Sequence, residues 1–521
     1  MYLQKSTLAP WALAALLLIT AAGCRSGEQT TRTPGEGTAV IALPGTVGPL
    51  FPLTIKSYDM QEISAHLLSP ALTRSSEEGD IVPVLVKGWQ TDNEQQRIIY
   101  YLDKKRRWSD GRPLRAEDVW RSWRFIRLHR DKVNPQYRFS RIDTCIIRDS
   151  LTVIFKFNSP VARPAQLTRF PIFPGRILHS LNWDSVNAAY GNAFTGCGPF
   201  ILAAREARKL SLKRNPAGTA LLAGLDIRFY DGAEHLRELL SKRLVDLAPD
   251  VSEDVSRAFK KEKAYRTEYS GERGFTFIAW NLRSRRVVDL RLRKALTLGL
   301  DRPTIADGLL GNLAVVHDAP TYPGFRDFLD TTAYRYQPEA ARRLLDQTGS
   351  RHSIILLVNS ENALRLQLAQ NIKSYWDLLG VTTEIRSLPW DRFLAALQKG
   401  RYDAALISWV QNDVFNPTDL FGSGGIKKGN NFMYYRNDEV DNALMAALTV
   451  ARRKARRMAW YRFQRAIIRD MPVTVLFSKR IATLISKRLK NVKIDASGYL
   501  NNPRDWWIDP APDEIFGEQS D

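Results

Sequence analysis

The side chains that metal sites and nucleophilic catalysis draw on are sparse in this 521-residue sequence: six histidines, at 66, 129, 179, 235, 317 and 352, and three cysteines, at 24, 145 and 197. No two histidines have the i, i+4 spacing that sets two ligands on one helix face, and no Cys/His cluster occurs, so a zinc site has no support. The sequence contains neither a Gly-x-Ser-x-Gly elbow nor a phosphate-cradling glycine loop; Gly422-Ser423-Gly424-Gly425 has neither spacing. A secreted hydrolase is the rival class, with no catalytic constellation behind it, and no cofactor is implied. What remains is non-covalent chemistry. Aromatic residues make up 10% of the chain and include 13 Trp, enough for large apolar surfaces or rings that face a ligand.

Export is written at the N-terminus. Lys5 precedes an apolar run from Leu8 to Ala22, shorter than the ~20 residues a spanning helix needs. The run ends in Ala21-Ala22-Gly23-Cys24, small residues of the kind cut by a signal peptidase. Residues 1–23 therefore read as a signal peptide, and Cys24 resembles the lipid-acceptor cysteine of a bacterial lipoprotein; the alternative is an ordinary signal peptide with an incidental cysteine. Residues 24–37, rich in Thr, Gly, Ser and charge, read as a flexible tether. The formal charge of +21 would suggest nucleic acid in a cytosolic protein, but export and the lack of any such motif argue against it. The basic runs Lys104–Arg107 and Arg452–Arg457 read as solvated. Anionic headgroups or an anionic ligand are the alternatives that the charge leaves open.

The body of the chain alternates short strands with helices. Trp108-Ser-Asp-Gly-Arg-Pro-Leu-Arg-Ala-Glu-Asp-Val119 predicts a turn at Ser109–Gly111, an extended Pro113, and a helix opened by acids at its positive end. Ala39–Leu43, Ile98–Leu102, Leu151–Phe157 and Leu225–Tyr230 predict strands; Glu234–Lys242 and Ser252–Lys261 predict helices. Phe275–Asn281 has a buried-strand pattern, and Asp289–Arg302 a helical one with its basic side chains turned outward. From 354 to 408 a β-α-β-α-β order, with Leu364, Leu368, Ile372, Trp376 and Leu379 on one helix face, predicts an α/β domain with a parallel or mixed sheet.

Several of these stretches together resemble the extracytoplasmic solute-binding proteins of ABC importers, in the group that binds peptides and nickel. The Trp108–Val119 wording is similar to that family's signature. So, in order, are Gly79–Trp89, Thr195-Gly-Cys-Gly-Pro-Phe200, Asp289–Arg302, Tyr402-Asp403 through Trp409 to Asn416-Pro417, and Asn431 with Tyr435. The resemblance spans about residues 38–510. It implies a two-lobed periplasmic-binding-protein fold: two α/β lobes, a hinge, and an inserted β-rich subdomain. Lobe 1 would comprise 38–61, the inserted subdomain 62–190, then 191–274 and 481–521; lobe 2 would be 275–480. It also implies a monomer outside the cytoplasm, lipid-anchored, delivering a peptide to a permease and its ATPase subunits. Alternatives within the fold are a nickel chelate, an oligosaccharide or a cell-wall peptide; outside it, a surface adhesin or chaperone.

By the same resemblance, the ligand's ammonium pairs with a carboxylate in the loop after Trp409. Asn412 stands where that acid is expected and Asp413 follows it, so either Asp413 takes the role or the ligand differs. Trp390 and Trp409, 19 residues apart, resemble a pair of cleft tryptophans. For them, and for Phe277 and Trp280, cleft and core are the alternatives. Asn431 completes the expected ligand-binding set. Cys145 and Cys197 both fall in the first lobe, where oxidation after export would allow a disulfide.

Overall fold

One strand, Val473–Ser486, ties the molecule together. Its β-branched residues at 473, 474, 475, 481, 483 and 485 favour extended backbone. It is buried over Val473–Ser478 and again over Ala482–Ser486, while Lys479, Arg480 and Ile481 between them are more open. Two apolar runs with a polar midpoint suit a strand that enters two cores in succession. Its first half pairs antiparallel with Gly274–Trp280, and its second half with Tyr265–Gly271 and Leu247–Val251. Only Glu272 and Arg273 separate Tyr265–Gly271 from Gly274–Trp280. The two lobes are thus joined by two adjacent strand crossovers.

This computed structural model describes residues 37–509, apart from 77–79, 93–95, 135–136, 138, 140, 160, 162, 193–194, 350–351, 411–414, 451 and 496–497. The signal peptide, Cys24, the tether before Gly37, Asn412 and Asp413 therefore lie outside the described residues. Among the described residues, no helix is long and apolar enough to cross a membrane.

A 12-stranded sheet runs through both lobes. On the lobe 2 side, His352–Asn359 pairs parallel with Val381–Leu388 along its whole length and with Ala404–Val410 at Leu356 and Leu357. Helices Ala363–Leu378 and Trp390–Lys399 make the connections, as the β-α-β-α-β reading expects. On the other side, Thr38–Pro44 pairs parallel with Gly224–Tyr230, which continues antiparallel to Lys209–Arg214. A separate four-stranded antiparallel sheet is built from Val86–Thr91, Arg97–Leu102, Thr152–Phe157 and Ile142–Asp149.

The signature stretch anchors that smaller sheet. Its helix is Ala116–Leu128, and Asp118 gathers three donors: the Arg115 backbone N–H at 2.9 Å, the Trp108 indole N–H at 3.1 Å and the Gly175 backbone N–H at 2.6 Å. One carboxylate thus caps the helix, fixes the buried Trp108 and holds a distant loop.

Two sequence expectations need correction. The stretch Asp289–Arg302 does not turn all its basic side chains outward: Arg293, in the helix Leu290–Leu298, and Arg302, which opens the next helix, are only 5% and 3% exposed. Arg293 donates to the carbonyls of Val287, Val288, Asp470 and Met471. Arg302 forms a buried ion pair with Asp318 at 2.7 Å. Planar five-donor guanidinium groups can satisfy several backbone carbonyls at once, which an amphipathic pattern does not reveal. The second correction is the disulfide: Cys145 and Cys197 are both buried free thiols. Burial pushes the Cys197 thiol up to about 12.

Candidate functional site

A cavity of about 1110 Å³ lies between the lobes. Lobe 1 contributes the short helical segment around Glu62 and His66, the strand residue Arg74, Arg169, and the turn Cys197-Gly198-Pro199. Gly198 is required there: a Cβ would come within 2.2 Å of the Leu67 carbonyl oxygen, while its N–H donates to Leu68 at 3.1 Å. Lobe 2 contributes Trp409, Val410, Asn416 and Asp419, and Arg273 enters from the crossover itself.

Trp409 stands near the end of strand Ala404–Val410, opposite Phe275 in register. Edge-to-face contacts with Phe275 at 5.9 Å and Phe415 at 5.5 Å hold its half-buried ring at the cavity wall. Of the other described candidates, none lines the cavity. Phe277 and Trp280 are fully buried in the strand Gly274–Trp280, and the Trp280 indole donates to Thr474 Oγ1 at 3.0 Å and stacks on Trp376. Asn431 is 1% exposed and clamps a turn, donating to the carbonyls of Gly422 and Tyr435 and accepting from the Tyr435 N–H. Trp390 is 49% exposed and stacks on Phe393, with its backbone N–H donating to Glu361.

The cavity also holds residues that sequence patterns did not single out. Asp419 brings a carboxylate to the wall just beyond the Asn416-Pro417 turn. Glu62 is only 8% exposed, and its Oε2 has no hydrogen-bond partner among the described residues. Burial pushes its carboxyl up to about 8, against the opposing pull of Arg273. His66 Nε2 lies 3.7 Å from that oxygen. Burial, with Arg74, Arg169 and Arg273 nearby, lowers the imidazole to about 4 and keeps it neutral.

These features are those of a ligand-binding cleft, and the sequence comparison agrees. Residues 80–431 match the family described as bacterial extracellular solute-binding proteins, family 5 Middle; the chain belongs to that family. It is similar to the oligopeptide-binding protein AppA of Bacillus subtilis (strain 168), at 23% identity over 253 residues, 45% of this chain and 47% of that protein. The structure of that protein with a nonapeptide has a TM-score of 0.72 at 20% identity, covering 92% of this chain and all of the other. A probable D,D-dipeptide-binding periplasmic protein of Escherichia coli (strain K12) is 24% identical over 442 residues, 82% of each chain. NikZ of Campylobacter jejuni, in complex with Ni(L-His), shares the fold with a TM-score of 0.71 at 20% identity, covering 91% of this chain and 99% of that one.

Proposed function

We propose that this chain is the substrate-binding subunit of an ABC importer, which takes a peptide into the cleft between its lobes and hands it to a membrane permease with ATPase subunits. The cavity of about 1110 Å³ with Trp409 in its wall carries this reading. It exceeds the roughly 300–1,000 Å³ typical of small-molecule sites, so several residues of an extended chain fit. Two crossovers allow hinge closure, and the free energy of closing becomes part of the affinity. Asp413 is the anchor for the ligand's ammonium. In support, Val410 on one side of 411–414 and Asn416 on the other both line the cavity. Asp419 is the alternative anchor, since it lies on the same wall. Lobe boundaries at 62–190 and 275–480, a monomeric state and lipid anchoring at Cys24 outside the cytoplasm belong to the same proposal.

Calorimetry with one peptide, free and N-acetylated, tests the anchor. The acetylated form should bind about 100-fold more weakly, because a buried carboxylate would then lack its cation. Asp413→Ala should remove that difference, and equal affinities for the unmodified protein would discard the anchor. Cys24→Ser should abolish palmitate labelling and release the chain from membranes; unchanged labelling would discard the lipid anchor.

A further inference from the structure

We propose that the solvent face of the helix Arg453–Asp470 docks on a membrane surface of anionic lipid headgroups. No acid occurs between Arg452 and Arg469. Five cations, Lys454, Arg457, Arg462, Arg465 and Arg469, fall on one side of this helix and are exposed, while Trp460, Phe463, Ala466 and Ile467 on the other side are buried. From Lys454 to Arg469 the stripe runs about 22 Å, at 1.5 Å per residue.

The protein's own acids meet only the margins of this stripe. Arg457 lies 3.9 Å from Asp327, and Arg469 pairs with Glu439 at 3.0 Å and Asp470 at 2.7 Å. The side chains of Lys454, Arg462 and Arg465 form no ion pair or hydrogen bond among the described residues. The arrangement opposes helix stability. Arg453 and Lys454 stand in the first turn, where the dipole favours acids, and like charges stand four apart at Arg453 and Arg457 and at Arg465 and Arg469. An anionic surface relieves both conflicts. Two exposed methionines favour a bilayer over an acidic protein. The Arg469–Glu439 pair shows that the helix Asp438–Thr449 runs antiparallel to this one, so Met445 and Met458, 58% and 48% exposed, stand at the same end of the pair. Apolar side chains among cations suit the boundary between headgroups and acyl chains. The proposed anchor supplies proximity, since the 13 residues from Cys24 to Glu36 span at most roughly 45 Å.

Co-sedimentation with vesicles tests the proposal, using the full-length chain carrying Cys24→Ser so that no acyl chain contributes. Vesicles of phosphatidylcholine mixed with phosphatidylglycerol should bind the chain more tightly than phosphatidylcholine alone, and added salt should remove the difference. Each cation near an anionic surface contributes roughly fivefold. Replacing Lys454, Arg462 and Arg465 together by Gln should therefore weaken binding to the anionic vesicles about tenfold or more. All three side chains are exposed, so the melting temperature should stay nearly unchanged. Arg465→Gln alone, with a loss of roughly fivefold, serves if the triple variant fails to fold. Equal binding to both kinds of vesicle, no binding to either, or undiminished binding of the variant overturns the proposal. Binding to polyglutamate without binding to anionic vesicles also overturns it and assigns the stripe to an acidic protein.

Discussion

Two tryptophans with similar sequence surroundings occupy opposite settings, Trp409 in the cavity wall and Trp280 in the core. Trp280 is fully buried, with its indole bonded to Thr474 and stacked on Trp376. Trp280→Ala should lower stability by about 3–5 kcal/mol in denaturant unfolding while leaving ligand affinity of the folded fraction intact. Trp409→Ala should lower stability by less than about 2 kcal/mol and weaken ligand binding about 10–100-fold. The reverse pattern would refute the assignment. This distinction was not legible in the sequence, because Gly274–Trp280 is buried on both faces and gives no period-2 alternation. The 19-residue spacing of Trp390 and Trp409 also misled. One begins a helix and the other nearly ends a strand, and only the strand residue reaches the cavity. A second residue-scale test is pH dependence. Glu62 lies at about 8 in the fold against 4.5 unfolded, so its stabilisation is complete below 4.5 and lost as pH rises to 8. His66 lies at about 4 against 6.5, so its stabilisation is complete above 6.5 and lost as pH falls to 4. Between 4.5 and 6.5 the two slopes oppose each other. Arg273, Asp59 and Asp495 face Glu62, and Arg74, Arg169 and Arg273 face His66. Melting temperature should therefore fall between pH 6.5 and 8, and Glu62→Gln should flatten that fall; an identical slope in the variant would contradict it.

At the scale of elements, local chemistry was readable and burial of charge was not. The parallel unit from His352–Asn359 to Ala404–Val410 followed from apolar periodicity, and Asp118 from the acids expected at a helix start. Arg293 and Arg302 escaped because their acceptors are backbone carbonyls and an aspartate outside the helix pattern. Asp318→Asn should strand the Arg302 cation in the core and lower stability by about 3–5 kcal/mol. Chemical denaturation measures this, and a loss under 1 kcal/mol, about what an exposed pair contributes, would mean that the surrounding carbonyls suffice. The composition of the cavity wall was hidden for a similar reason: Glu62, His66 and Asp419 are brought together only by the tertiary fold.

At the scale of the whole molecule, the proposed closure connects these parts. Asp80 and Arg326 form a paired contact, at 2.6 and 3.1 Å, which under the proposed lobe boundaries bridges the two lobes. Asp80 is half exposed, so the contact is worth about 0.2–1 kcal/mol. Asp80→Ala should shift the unliganded protein toward open forms up to about fivefold, the population ratio that energy sets. Small-angle scattering should then give a larger radius of gyration, and an unchanged radius would remove the contact from the closure mechanism. The two-lobed fold was legible because its motifs recur in order along the chain. The ligand was not, because the loop 411–414 departs from the family pattern. The most direct measurement is mass spectrometry of the small molecules released by denaturing the purified full-length chain, set beside the Trp409→Ala protein. Short peptides should be released from the unmodified protein and strongly depleted in the variant. A metal chelate or oligosaccharide in their place, or the same yield from both proteins, would contradict a peptide held against Trp409 between the lobes.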